Sequence, residues 1–249
     1  MTLDPAVFER LRTVSAATVQ NQLFIRGFRR TVVEGARPLS SERARFVAEA
    51  FTLRYIPARE DLDVVDAFHD PSHPQRVAIE SVPAGQALVV DSRGDGSAAS
   101  AGEILATRLS VRGCAALVTD GSVRDSYRIE DIDLPVFVKT VTPATNLVLH
   151  HAVDLQVPIG CGGVAVFPGD VLVGDPEGVV VIPRHLAEDV SRDAFEQERL
   201  EEFLLAKVAA EIAEAGSNIQ HVTMDDEHGV YTSLYFTLQV SNRVHLARI

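Results

Sequence analysis

Apolar positions near the start of the chain recur at helical intervals. Asp4 precedes Pro5, and Val7, Leu11 and Val14 follow at steps of four and three, the pattern of a capped helix with proline at its first position. A second short helix, starting near Ser15 or Thr18, carries Val19, Leu23 and Phe24 and stops at Gly27. The period then changes. Thr31 to Leu39 is strand-like as far as Pro38, and after a stretch of mixed period Phe51 to Ile56 reads as a strand ended by Pro57. Gln86–Asp91, Ala115–Thr119 and Leu134–Val138 are short apolar runs bounded by turn residues, the pattern of buried strands. Between the first two, Ala98 to Arg112 is helix-like. Val153 to Pro183 repeats valine and glycine in hairpin-like units, including Val164–Val166, Val171–Asp175 and Gly178–Pro183, which predicts a compact β layer. A long amphipathic helix is predicted from His185 to about Ala215, stopped by Gly216. The final thirty residues fit a strand pair, a subunit arm or a loose tail. Strands and helices in this order predict an α/β fold. With no repeat, low-complexity linker or sharp change of composition, the reading is one domain over residues 1–249, its core about 15–215 and residues 216–249 a divergent tail.

Two loops stand out against this pattern. Ala115–Thr119 runs into Asp120-Gly121-Ser122-Val123-Arg124-Asp125, so Arg124 and Asp125 are expected in a loop leaving a strand. About twenty residues earlier, Asp91–Ser97 leads into the helix whose first turn contains Gly102-Glu103-Ile104-Leu105. If the two strands are neighbours, free N–H groups of a helix start face an Arg-Asp pair, where a small carboxylate and a divalent cation fit together. Each residue also has a plainer account. Asp125 can serve as a local ion pair or loop cap, and Glu103 as an acid favoured by the helix dipole.

Charge narrows the function classes. A formal net charge of −12 over 249 residues argues against phosphate-neutralising nucleic-acid binding. Lysine occurs only at Lys139 and Lys207, every other cation being arginine. That bias suits bidentate grip on an anion, and a coding bias explains it equally well. The two cysteines, Cys114 and Cys161, are too few for a disulfide framework or a zinc spacing. No basic segment followed by an apolar one opens the chain, and no apolar run approaches ~20 residues, so a cytoplasmic protein without membrane partners is expected. Asp66, His69, Asp70 and His73 have helical spacing, but Pro71 and Pro74 interrupt it, and the segment reads as solvated surface rather than a metal site. Walker, dinucleotide and Gly-x-Ser-x-Gly patterns do not occur.

The ordered series Gly102-Glu103-Ile104-Leu105-Ala106, Arg112-Gly113, Thr119 to Asp125, Leu134-Pro135-Val136-Phe137 and Thr142-Pro143 continues through Cys161-Gly162-Gly163-Val164, Pro168-Gly169-Asp170 and Gly174 to Val179. It resembles the class II pyruvate aldolases that act on 4-hydroxy-4-methyl-2-oxoglutarate and 4-carboxy-4-hydroxy-2-oxoadipate, a family that also holds the RraA-like regulators of ribonuclease E. The resemblance covers about residues 15–215. It implies a swivelling β/β/α domain with N-terminal helices and a long C-terminal helix, assembled as a homotrimer or homohexamer with the site between subunits. By the family pattern, Asp125 is the ligand of Mg²⁺ or Mn²⁺, largely through water. Arg124 contacts the oxygen of the 2-oxo acid that becomes an enolate, and the N–H groups of Ile104 and Leu105, beside Gly102, receive the carboxylate. Glu103 holds metal-associated water, as does an acid from the neighbouring subunit's C-terminal helix, with Glu202 and Glu201 both candidates.

The activity so implied is retro-aldol cleavage of a 4-hydroxy-2-oxo acid to pyruvate and a second oxo acid, with oxaloacetate decarboxylation open to the same chemistry. Two alternatives stand beside it: a non-catalytic ribonuclease regulator-like binding protein, and a metal-dependent dehydratase or lyase of a sugar-derived acid. In the regulators the residue after the arginine is not an aspartate, so Asp125 favours the enzyme. Arg54 and Arg59 are candidates for a distal carboxylate, surface placement being the simpler account. Departures from the family pattern are Gln20-Asn21-Gln22-Leu23 in the N-terminal helix and a tail without Tyr-Pro-Pro.

Overall fold

A computed structural model of the chain describes residues 3–214, 218–227 and 231–239. The chain divides into two compact units, Met1–Phe195 and Glu196–Ile249, where the sequence reading took one domain. Asp4 caps α1 (Pro5–Leu11) by accepting the Ala6 N–H at 2.9 Å, and Ser15 caps α2 (Ala16–Ile25) through the Thr18 N–H. After the two-residue β1 (Arg37–Pro38) comes β2 (Phe46–Pro57), twelve residues long and twice the expected strand. The polar stretch that follows holds a 3₁₀ turn at Val65–His69 and then α3 (Pro74–Ser81). Pro74 therefore opens a helix at its first position, where a missing N–H costs nothing. Asp66, His69, Asp70 and His73 share no helix face.

β3 (Gln86–Asp91) forms as expected. The next helix does not. Residues 99–101 are strand β4 (Ala99–Ala101), and α4 (Glu103–Val111) begins only after Gly102, which is its N-cap. The expected helix from Ala98 is corrected by five residues, because residues around Ala99 and Ala101 pair with β6 (Ser122–Val123) beyond β5 (Ala116–Thr119). α5 (Ser126–Ile129), β7 (Val136–Val138), β8 (Thr140–Val141) and β9 (His150–Leu155) follow. Then come the hairpin of β10 (Ile159–Cys161) and β11 (Val164–Val166), that of β12 (Val171–Asp175) and β13 (Gly178–Ile182), and α6 (Ala187–Glu214).

The main sheet runs β1-β7-β5-β3-β2-β12-β13. β2, β3, β5 and β7 are parallel, as βαβ connections require. β2 is long because its other edge serves two partners, β12 along Phe46–Glu49 and β9 along Leu53–Pro57. Val32 bridges Val180 on β13 while β1 pairs with β7, so residues 32–38 draw the two ends of the sheet together and nearly close it. Alternate residues point inward, among them Ala48, Ala50, Val89, Val118, Phe137, Leu172 and Val181, and form one core. On the outside, α3, α4 and α5 cover Leu53, Leu88 and Leu117, while α1, α2 and the start of α6 cover Val47, Val173 and Ile182. The α/β architecture with N-terminal helices and a long C-terminal helix is thus the one expected. In the second unit, β14 (Asn218–Glu227) and β15 (Tyr231–Gln239) pair antiparallel, the strand-pair option for the tail.

Candidate active site

β3 and β5 are adjacent parallel strands, so the loops leaving them lie side by side at their C-terminal ends, where open α/β sheets bind ligands. Buried polar groups fix both loops. Asp120 accepts N–H bonds from Ser92 at 2.7 Å, Gly94 at 2.8 Å and Gly162 at 3.1 Å. Beneath it, the hydroxyls of Ser92, Ser100 and Thr119 form a closed triangle of hydrogen bonds, and Thr119 Oγ1 also accepts the Gly121 N–H. A Cβ on Gly121 would stand 2.5 Å from that of Ser92, so glycine is required there by close approach.

On this base sits a cavity of about 590 Å³, lined on one side by Gly102, Glu103, Ile104, Leu105, Arg124 and Asp125. The six candidates from the two loops thus meet in one cavity. The first intrahelical bond of α4 is Ala106 N–H to Gly102 O at 3.0 Å, leaving the N–H groups of Glu103, Ile104 and Leu105 without helical acceptors. The Glu103 N–H points to Asp125 Oδ2 at 3.4 Å. Asp125 is left-handed, φ 58° and ψ 30°, a conformation that aspartate tolerates better than most residues but that still stores strain. It brings the exposed carboxylate back over Gly102, with Arg124 Nε at 3.7 Å from Oδ2. A Cβ on Gly102 would lie 2.9 Å from both Arg124 Nε and Asp125 Oδ2. The missing side chain is what lets the pair close on the helix start.

Glu103 faces an unexpected neighbour. Arg128 on α5 reaches its carboxylate at 3.2 Å and lies over the Tyr127 ring at 5.6 Å. Sequence reasoning passed over Arg128; its place three residues after Asp125 was the available signal. The cavity is lined as well by Phe68, His73, Gln75, Arg76, Ile79, Glu80, Arg108 and Asn146, none of which the sequence placed beside Asp125. Asn146 donates to Gln75 Oε1 at 2.8 Å, and Gln75 in turn donates to Ser100 O. Burial holds the His73 imidazole below its ordinary pKa despite nearby Asp63. Arg54 pairs with Asp154 and Arg59 with Asp61, outside the lining. Glu201 and Glu202 lie on α6 in the second unit, where Gln197 donates to Glu201 at 2.8 Å.

Asp125 and Glu103 supply hard oxygen donors. No group of three or more His, Cys, Asp or Glu placed to hold a metal ion occurs among the described residues. A cation held here would therefore complete its shell with water and substrate oxygens, which fits Mg²⁺ and does not fit a caged structural metal. No helix among the described residues is long and apolar enough to cross a membrane.

Residues 16–181 match a family model described as Aldolase/RraA, and residues 201–249 match one described as an ACT domain. A Thermus thermophilus protein named 4-hydroxy-4-methyl-2-oxoglutarate aldolase is 30% identical over 141 residues, 57% of this chain and 77% of its own. A Halalkalibacterium halodurans protein for which the same activity is proposed is 32% identical over 158 residues, 64% of this chain and 69% of its own. Among solved structures, RraAS2 of Streptomyces coelicolor, described as an unusual member of the RNase ES inhibitor RraA protein family, superposes with a TM-score of 0.75 at 29% identity. That match covers 83% of this chain and all of the other.

Proposed function

This chain belongs to the Aldolase/RraA family, and on that premise we propose that it is a divalent-metal-dependent lyase. It cleaves a 4-hydroxy-2-oxo acid to pyruvate and a second oxo acid. The observation that carries this reading is the meeting, in one cavity, of the free first-turn N–H groups of α4 with Arg124 and Asp125. The aldolase names of two relatives agree with it.

Asp125, with Glu103 nearby, would hold Mg²⁺ or Mn²⁺, which when bound supplies Lewis acidity toward the 2-oxo acid. The N–H groups of Ile104 and Leu105 receive the substrate carboxylate at the positive end of the helix. Arg124 faces the C2 oxygen and stabilises the charge that develops there. The Glu103 carboxylate accepts the C4 hydroxyl proton through a hydrogen-bonded water. The C3–C4 bond then breaks, its electron pair passing into the C2–C3 enolate, and protonation at C3 gives pyruvate. Glu202 or Glu201 of a neighbouring copy completes the site in a homotrimer or homohexamer. Schiff-base chemistry is disfavoured by the lysines: Lys139 Nζ donates to Gly94 O at 2.7 Å, and Lys207 stands over the Phe203 ring on α6.

The likeness to RraAS2 supports a second reading, a non-catalytic regulator-like binding protein. Pyruvate release from 4-hydroxy-4-methyl-2-oxoglutarate and oxaloacetate, followed with Mg²⁺ and with EDTA, separates the two. Metal-dependent turnover that Asp125→Ala lowers by at least ~100-fold is expected from a lost electrostatic stabiliser. Absence of turnover by folded protein with any divalent ion supports the binding reading instead.

A further inference from the structure

Glu103 is the acid in the first turn of α4, where the helix dipole favours it without fixing which way its carboxylate turns. Asp125 stands close by, its Oδ2 at 3.4 Å from the Glu103 N–H, so a cation held by Asp125 would have a second carboxylate within the same cavity. Arg128 decides where that carboxylate goes. Its Nη1 donates to Glu103 Oε2 at 3.2 Å. Arg128 is itself held in place: its backbone N–H donates to Asp125 O at 2.9 Å, its Nε donates to the Tyr127 hydroxyl at 3.1 Å, and the guanidinium lies over the Tyr127 ring at 5.6 Å. The short helix α5 thus carries Asp125 at its N-cap and the partner of Glu103 three residues later.

From this geometry we infer that Arg128 is a positioning residue: it holds Glu103 off the cation, so that Glu103 remains a proton acceptor instead of becoming a second direct metal ligand. The inference rests on the lyase reading above. A free carboxylate beside a hard divalent cation binds it directly, and a carboxylate that has given its charge to a metal accepts protons poorly. The Arg128–Glu103 pair is part-exposed, with 56% and 39% of the two side chains accessible, so it adds little to stability. Its effect is on the charge that a cation meets. With Glu103 neutralised by Arg128, Asp125 is left as the anionic donor, and the cation keeps water positions that a chelating substrate can take. Arg124 does not share this task, since its Nε lies at 3.7 Å from Asp125 Oδ2.

The test is a Mn²⁺ titration of the full chain, followed by electron paramagnetic resonance, for the wild type, Arg128→Gln, Glu103→Gln, the double variant and Arg128→Lys. Arg128→Gln is expected to bind Mn²⁺ about 10-fold more tightly, because the freed Glu103 carboxylate adds a ligand charge. Most of that gain should vanish when Glu103 is also glutamine, whereas simple removal of a repelling guanidinium would tighten binding equally in both backgrounds. Turnover should move the opposite way. Arg128→Gln is expected to lower kcat for pyruvate release about 10- to 100-fold with KM within a few-fold, as loss of a placed proton acceptor does. Arg128→Lys, which keeps the charge without the planar fork, should return Mn²⁺ affinity to the wild-type value and restore part of kcat. An equal gain in Mn²⁺ affinity with and without Glu103, or weaker binding in Arg128→Gln, overturns the positioning role. The coupled Mn²⁺ pattern in a protein that releases no pyruvate overturns the lyase reading and upholds the hold of Arg128 on Glu103. A wild type that binds no Mn²⁺ overturns both.

Discussion

Asp125 owes its position to a backbone conformation, and Gly102 owes its identity to the space that conformation leaves. Because Gly102 has φ −129°, any residue could adopt its backbone; what excludes a side chain is the 2.9 Å approach of Arg124 and Asp125. Gly102→Ala is therefore expected to reduce pyruvate release markedly while costing less than about 1 kcal/mol of stability, since the displaced groups are exposed side-chain ends. Thermal melts measured beside turnover check this. A second residue-scale consequence concerns His150, fully buried and stacked on Tyr55 at 5.2 Å. Burial, and then the nearby Arg93, lower its pKa from the ordinary histidine value. The unfolded chain then binds a proton that the native one refuses, so this contribution is complete above about pH 6.5 and is lost as pH falls below it. Urea midpoints between pH 7.5 and 5 should fall with pH, by at most ~1.4 kcal/mol per unit for one histidine. His150→Phe should flatten the slope, leaving the part due to His73, which is shifted in the same direction.

Elements place these residues, and here the reading of the chain was uneven. The strands β3, β5, β12 and β13 were legible because short valine-rich runs between turn residues have few other uses. That β3 and β5 are neighbours, and so that two loops twenty residues apart share a pocket, follows from the ordinary handedness and adjacency of βαβ units. The start of α4 was missed because Ala98, Ala99 and Ala101 favour helix by propensity, and pairing with β6 overrides them. α3 was missed for the opposite reason: prolines that disrupt a helix interior are at home at its first position. Both errors bear on the site, since α3 brings Arg76 and His73 to the cavity and the shifted start of α4 frees the N–H groups. Loops, too, depend on buried polar bonds that no periodicity reveals. Asp120→Ala strands three backbone N–H groups at once, one buried and two half-buried, and a loss of about 3 kcal/mol is expected by denaturant unfolding. Asp120→Asn, which keeps one acceptor, should lose less.

At the scale of the whole molecule the chain has two parts, and the long helix runs from one into the other. Ala187, Val190 and Ala194 are buried in the first unit, while residues 201–249 match the ACT description. A chain ending at residue 214 retains α6 with Glu201 and Glu202. If the first unit and that helix carry the chemistry, this shortened chain keeps metal-dependent pyruvate release within a few-fold of the full chain; complete loss in a folded fragment would assign residues 215–249 a part in the activity.

The sequence by itself determined most of the strands and helices, the α/β class and the family, and it named Glu103, Ile104, Leu105, Arg124 and Asp125 as the candidates that one cavity brings together. These depend on local period, turn chemistry and an ordered series of motifs, all of which are written along the chain. Only the tertiary structure decided which charges face one another across the cavity. Arg54 and Arg59 turn out to be paired with Asp154 and Asp61, Arg128 to hold Glu103, and Arg76 to donate to the Phe68 carbonyl. The physical reason is that an arginine's role is set by its neighbours in space. Its side chain reaches partners dozens of residues away, as Arg54 does, and helical or strand period carries no record of which partner it meets.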